Sequence, residues 1–162
     1  MKFPSTNKWV TSPLRNSIKM ELNASANEVW EIVANPANIF SNCCGVNNVE
    51  PKTNDSGKCI EYTINYESED GSEDMVAHST MVWYEPNQGW ASLDNDPHPM
   101  GFKQSLLLIT IEEQKEKSVL NWNMYYDIEN DEMLQMFITG LNQSLKNEIA
   151  QLLIQKFGGK II

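Results

Sequence analysis

Cationic side chains are scarce in this chain: twelve Lys and Arg stand against twenty-two Asp and Glu, a net charge of −10 over 162 residues. A surface of that sign repels phosphate backbones and anionic headgroups, which sets nucleic acid and acidic membrane aside as partners. Long apolar runs are missing too. No stretch reaches the roughly eighteen apolar residues of a membrane span, and Met1 to Arg15 holds no signal-like apolar segment. No integral membrane segment is expected, and a cytoplasmic location is the default. Cysteine is sparse: Cys43, Cys44 and Cys59 are odd in number with one adjacent pair, which fits neither a disulfide framework nor a C-x-x-C clamp. Reduced structural thiols are the expectation. The two histidines, His78 and His98, lie apart in sequence and do not make a metal site. Glu67, Glu69, Asp70, Glu73 and Asp74 cluster, but without the fixed alternation and closing Glu of a calcium loop they read as a solvated hairpin tip. No metal and no cofactor is expected.

What is present is ordinary globular composition, 41% hydrophobic with 9% aromatic, enough for one self-sufficient core. Residues 1–15 carry Pro4 and Pro13 among Ser, Thr, Asn and Lys, an irregular lead-in that only Phe3 and Trp9 can anchor. Residues 16–162 are expected to form a single domain. It opens with Ile18, Met20 and Leu22 alternating with Ser17, Lys19 and Glu21, the period-two signature of a half-buried strand.

Ser25 and Glu28 form an S-x-x-E capping box, and Val29, Trp30, Ile32 and Val33 follow at helical spacing until Pro36 ends the run or begins a second helix through Phe40. Beyond Gly45 the pattern is strand-like almost to residue 128. The segments Cys59 to Tyr66, Met75 to Tyr84, Trp90 to Asp94, Phe102 to Glu113 and Ser118 to Ile128 are separated by turn signals too short for parallel crossovers, so the sheet is antiparallel. From about Asn130 to Phe157, Leu134, Phe137, Ile138, Leu141, Leu145 and Ile149 recur at three-and-four spacing. They predict one amphipathic helix about 40 Å long, stopped by Gly158-Gly159.

This order of elements, with Glu28-Val29-Trp30 at the first helix, resembles the START/Bet v1-like superfamily (SRPBCC) of polyketide cyclase/dehydrase and lipid-transport proteins over about Ser17 to Phe157. Val82-Trp83-Tyr84-Glu85-Pro86 is similar to that family's strand ending in a Pro turn, and Ser118-Val119-Leu120-Asn121-Trp122 to its last strand. Asn35-Pro36 to Gly45-Val46 also resembles the superfamily's carbon monoxide dehydrogenase G-like branch, with Cys44 where its members often carry Pro. The resemblance implies an α+β helix-grip fold. A curved antiparallel sheet wraps a long C-terminal helix, two short helices follow the first strand, and a cavity for apolar or aromatic molecules lies between sheet and helix.

On that architecture the inward positions are Ile60, Tyr62 and Ile64, then Val76, His78, Thr80, Val82 and Tyr84, then Trp90 and Ser92, Leu107, Ile109 and Ile111, and finally Leu120, Trp122, Met124 and Tyr126. The phase of Met75 to Tyr84 is taken from its closing Pro turn, the opposite face being nearly as apolar. His78 among Val and Thr reads either as a hydrogen-bonded wall residue, as a ligand contact or as a general base. His98, between Pro97 and Pro99, reads as a loop residue and Trp30 as a structural anchor. Met133 and Met136 could form an adaptable mouth. The candidate ligand-binding residues are therefore His78, Thr80, Tyr84, Trp90, Trp122, Tyr126, Met136 and Phe137, with no catalytic residue assignable.

The expected partner is a small hydrophobic ligand, lipid, polyketide-like or similar. Alternatives are a cyclase or dehydratase acting on such a molecule, and a protein-interaction or maturation factor of the carbon monoxide dehydrogenase G-like type. Oligomeric state is not legible in the sequence.

Overall fold

Pairing begins at Leu14, two residues before the alternation becomes regular, because a register irregularity between Leu14 and Asn16 precedes the regular ladder of β1 (Leu14–Leu22) with the last long strand. The computed structural model describes residues 3, 5–68, 70–71, 73–94 and 98–162. Expectations that fall on Pro4, Glu69 and Pro97 lie outside the described residues.

After β1 come α1 (Ala26–Val33) and α2 (Pro36–Phe40), then β2 (Val46–Thr53), β3 (Cys59–Tyr66), β4 (Met75–Glu85), β5 (Gly89–Asp94), β6 (Phe102–Gln114) and β7 (Lys117–Ile128). The chain closes with a long helix and β8 (Gly159–Ile161). All neighbours in the sheet order β2-β3-β4-β5-β6-β7-β1-β8 pair antiparallel. With the long helix on its inner face, this is the expected α+β helix-grip arrangement.

Local chemistry sets the element ends as the sequence predicts. Ser25 and Glu28 exchange the two bonds of the capping box. Asn35 caps α2 with Pro36 in its first turn, where the missing N–H costs nothing. Strand β8 has no counterpart among the expected elements. It pairs with β1 directly after the helix, and a Cβ at Gly159 would sit 2.0 Å from the Glu21 carbonyl oxygen, so only glycine lets the two backbones meet.

Two bulges correct the expected strand faces. In β4, Ala77 pairs with buried Ile64 and Ser79 with buried Tyr62, which places Ala77 and Ser79 on the inner face. His78 opposite Thr63 and Thr80 opposite Glu61 therefore face outward, and Val76 is exposed with them. The register slips between Met81 and Trp83, so Tyr84 packs inward while Val82 packs with the outer cluster. Projecting the phase back from the Pro turn crosses that bulge and inverts every residue before it. In β3, an irregularity opposite Lys52 and Thr53 turns Cys59 inward and leaves Ile60 exposed.

Both faces of β6 are apolar because both are covered. Leu107, Ile109 and Ile111 join the inner core, whereas Leu106 and Leu108 join an outer cluster with Val10 and Ala91. The lead-in closes that cluster: Phe3 stacks on Trp9 at 5.0 Å and meets Trp83 edge-on at 5.4 Å. Thr11 and Ser12 both donate to the Gln104 side-chain carbonyl.

The long helix runs as α3 (Asp131–Ser144), a π-helical segment (Leu145–Ala150) and α4 (Gln151–Phe157). Asn130 caps its start by accepting from the Met133 amide, and Gly158 ends it with φ of 75°. Only Leu134 is buried in α3, whereas Leu145, Ile149, Ala150 and Leu153 are buried in the shorter remainder. Among the described residues no helix is long and apolar enough to cross a membrane.

Candidate functional site

At the α1 end of the sheet, side chains fill the space between sheet and helices. The Trp90 indole N–H donates to the Val33 carbonyl at 2.7 Å. Trp30 meets Tyr84 edge-on at 5.0 Å, and the Tyr84 hydroxyl reaches the Ala34 carbonyl at 3.5 Å. Apolar bodies are packed here and polar tips spent, so little is left for a ligand.

Beneath α3 the space is open. A cleft of about 920 Å³ lies between β3 to β7, the segment after α2 and the inner side of α3. Tyr62, Ile64 and Tyr66 line it from β3, Ala77 and Ser79 from β4, Phe102, Ser105 and Leu107 from β6, and Trp122 and Met124 from β7. Met136, Phe137, Gly140 and Leu141 form the helical roof, and Phe40 closes one side. Phe40 stacks on Tyr62 at 5.9 Å and meets Trp122 edge-on at 5.7 Å, so the aromatic wall is continuous.

A polar centre interrupts this wall. Asp94, at the end of β5, accepts a hydrogen bond from the Ser79 hydroxyl at 2.6 Å and faces His98 Nε2 at 3.4 Å. Ser105 of β6 lies near the same carboxyl and favours its ionised form. His98 Nδ1 accepts from the Met100 amide at 3.1 Å, which assigns the remaining proton to Nε2 and turns that N–H toward Asp94. Burial pushes the Asp94 carboxyl above its ordinary range and His98 below its own, each against the pull of the other. Tyr62 and Tyr66 are raised by burial and, secondarily, by the Asp94 charge, so both phenols stay protonated.

Trp122, Met136 and Phe137 are the sequence candidates that line the cleft. Trp90 and Tyr84 lie in the filled end. Tyr126 is buried, its phenol pushed up to about 12 by burial, and its hydroxyl donates to the Asn16 carboxamide oxygen. Asn16 in turn donates to the Ile138 carbonyl at 2.9 Å and to Asn142 at 2.7 Å, so Asn16 ties β1 to α3 and the Tyr126 hydroxyl of β7 orients it. His78 and Thr80 lie on the outer face of β4, away from the cleft.

Asp94, His98, Ser79 and Tyr66 are not among the candidates that sequence reasoning yields. The one signal for them is Asp94 and His98 four residues apart at a strand end, and the same residues read equally well as a turn. Cys43 lines the cleft, but burial and then the nearby Glu148 push its thiol up to about 12, which leaves it a poor nucleophile. Among the described residues no group of three or more His, Cys, Asp or Glu could hold a metal ion.

No family model matches the chain, and neither does any curated protein sequence. Solved structures do match. A START superfamily protein from Mycobacterium smegmatis is 13% identical with a TM-score of 0.60, the match covering 86% of this chain and 99% of that one. A norcoclaurine synthase from Thalictrum flavum, a point mutant in complex with a transition-state analogue, is 13% identical with a TM-score of 0.59 over 91% of this chain and 98% of that one. The di-domain ARO/CYC BexL of the BE-7585A biosynthetic pathway is 14% identical with a TM-score of 0.61, over 85% of this chain and 44% of that one.

Proposed function

Given the START/Bet v1-like fold of this chain, we propose that it binds a small hydrophobic or aromatic molecule in the cleft beneath α3. The observation that carries this reading is the cleft itself: about 920 Å³, walled by Tyr62, Phe102, Trp122 and Phe137 and roofed by a helical segment with one buried residue. That volume falls within the roughly 300 to 1,000 Å³ of small-molecule sites, and apolar walls around few polar groups are their usual make-up. A bound molecule would add to the apolar contacts of the inner face of α3, and Met136 and Met124 are side chains that adapt to irregular shapes.

The test is direct. Protein purified from its own host is examined by native mass spectrometry and then extracted under denaturing conditions, and the emptied protein is titrated with the neutral fluorophore N-phenyl-1-naphthylamine. Saturable one-to-one binding is expected, and ligand at a hundred times its dissociation constant should stabilise the fold by about 2.7 kcal/mol. Absence of both a co-purifying molecule and saturable probe binding would refute the reading.

A second reading, proton transfer to or from the bound molecule, is favoured by one observation. A carboxyl whose affinity for protons is raised by burial, facing an apolar cleft, is suited to general acid–base work. It calls for turnover that Asp94→Asn abolishes while probe binding survives.

A further inference from the structure

The chemical class of the ligand can be narrowed from what surrounds Asp94, and this step rests on the binding reading above. The acidic rim alone would say little, since Glu67, Asp70 and Glu73 also line the cleft in a chain with 22 acidic and 12 basic residues. Asp94 says more, because it stands inside among aromatic rings with its side chain 19% exposed.

Its partners are dipoles, not cations. Ser79 donates its hydroxyl hydrogen from β4, Ser105 of β6 adds a favourable dipole, and His98 presents Nε2–H. His98 is a poor source of counter-charge in this arrangement, because burial lowers its affinity for a second proton against the attraction of Asp94. A second proton would have to enter at Nδ1, where the Met100 N–H already points, setting two N–H groups against each other. Among the described residues, the other titratable groups facing Asp94 are the Tyr62 and Tyr66 phenols of β3, which bring no positive charge. From α3 the lining is Met136, Phe137, Gly140, Leu141 and Ser144, none of them titratable. Among the described residues that line the cleft there is no Lys or Arg. The ion pairs that Arg15, Lys52, Lys103 and Lys117 form lie with Asp127, Glu61, Glu129 and Glu21.

A sheltered carboxylate with donors but no counter-cation, enclosed by aromatic faces, has the composition of a cation receptor awaiting its ion. We propose that the cleft selects amphiphilic amines, with the ammonium group against the Asp94 carboxylate and the apolar body along Trp122, Phe102 and the α3 roof. A neutral apolar molecule would fill the same space but leave Asp94 without a counter-charge, and an anionic one would meet it and the rim with the wrong sign. Affinity then ranks amine above alcohol above carboxylate at equal size.

Three probes of one skeleton test this at pH 7 by isothermal titration: 1-naphthylmethylamine, 1-naphthylmethanol and 1-naphthoate. The wild-type chain should bind the amine about tenfold or more tightly than the alcohol, as expected of one charge-assisted contact. In Asp94→Asn the ratio should fall to near unity while the alcohol is held about as before. Asp94→Ser serves if the Asn side chain disturbs folding, and the wild-type ranking is informative by itself. Equal binding of amine and alcohol, or tighter binding of the carboxylate, overturns the amine assignment and leaves the binding reading standing. A preference that survives loss of the Asp94 carboxylate traces to the acidic rim and overturns the role given to Asp94. Failure of all three probes overturns the amine assignment, and the binding reading falls with it only if co-purification and N-phenyl-1-naphthylamine binding fail as well.

Discussion

The two halves of the long C-terminal helix share one sheet and meet it in opposite ways. From Leu145 to Phe157 the helix is a structural member: Leu145, Ile149, Ala150 and Leu153 are buried in the same cluster as Trp90 and Val33. From Asp131 to Ser144 the same helix is a roof with one buried residue, held by its Asn130 cap, by the Asn16 bridge from β1 and by a small cluster in which Leu134 packs with Phe102, Tyr126 and Ile128. The π-helical segment lies where one behaviour gives way to the other, and such local unwinding is frequent at functional sites. The difference teaches that the balance shifts along this helix, toward recognition before Ser144 and toward stability after it, with Leu145 and Ile149 serving both cleft and core. The filled end holds the fold, which lets the open end keep an unfilled cleft and a carboxyl without a counter-charge.

The largest expected effect tests the filled end. Trp90→Ala removes a fully buried indole and leaves the Val33 carbonyl without its donor, so about 3 to 5 kcal/mol should be lost in urea unfolding. Phe137→Ala, under the roof, should cost about 1 kcal/mol, because the cleft already denies that ring contacts on one side. Comparable losses at the two sites would break the comparison. Between them stands Tyr126→Phe, which strands the buried Asn16 oxygen and should cost about 1 to 3 kcal/mol. Hydrogen exchange should localise that loss to α3, leaving the segment after Ser144 protected.

Much of this division is legible in the sequence, and the part that is not has a physical cause. Strand order, capping box, Pro-led second helix and glycine stop depend on local chemistry, so Ser25, Glu28, Pro36 and Gly158 announce them. The inner positions of β5, β6 and β7 follow from alternation, because from Leu106 to Val119 the two strands pair without a slip. Alternation fails at β3 and β4, where bulges at Cys59 and at Met81 to Trp83 exchange the faces. His78 and Thr80 fall on the wrong side for that reason alone. Tyr126 reads as a wall of the site because a sequence cannot tell that its hydroxyl is spent on Asn16, 110 residues away. Asp94 and His98 escape notice because a carboxylate beside Pro and Asn signals a turn whether or not the fold encloses it.

Asp94 and His98 offer a test with opposite signs. The Asp94 carboxyl is raised in the folded state, so above the ordinary aspartate value the folded chain holds more protons than the unfolded one. Its contribution to stability is complete at low pH and declines as pH rises through the folded value. His98 is lowered, so below its free value of 6.5 the unfolded chain binds more protons, and that contribution grows as pH rises toward 6.5. Asp94→Asn should therefore abolish the falling limb whatever its effect on absolute stability. Urea midpoints of both proteins from pH 4 to 8 should diverge, with wild type losing ground to the variant as pH rises. Parallel profiles would mean that the carboxyl is as well solvated folded as unfolded.

The smallest expected change in stability carries the sharpest contrast. Met136 is 73% exposed yet lines the cleft, whereas Met133, 43% exposed on the same turn region of α3, does not. Neither side chain holds the fold, so Met136→Ala and Met133→Ala should each stay within about 0.5 kcal/mol of wild type. Only Met136→Ala should alter capture of N-phenyl-1-naphthylamine, weakening it several-fold through faster dissociation, because a flexible thioether at the mouth covers the bound molecule without being needed for folding. Equal effects of the two substitutions on the probe would place its exit elsewhere on the cleft rim. An effect of Met136→Ala on stability but none on the probe would reverse the division of labour inferred for the two halves of the helix.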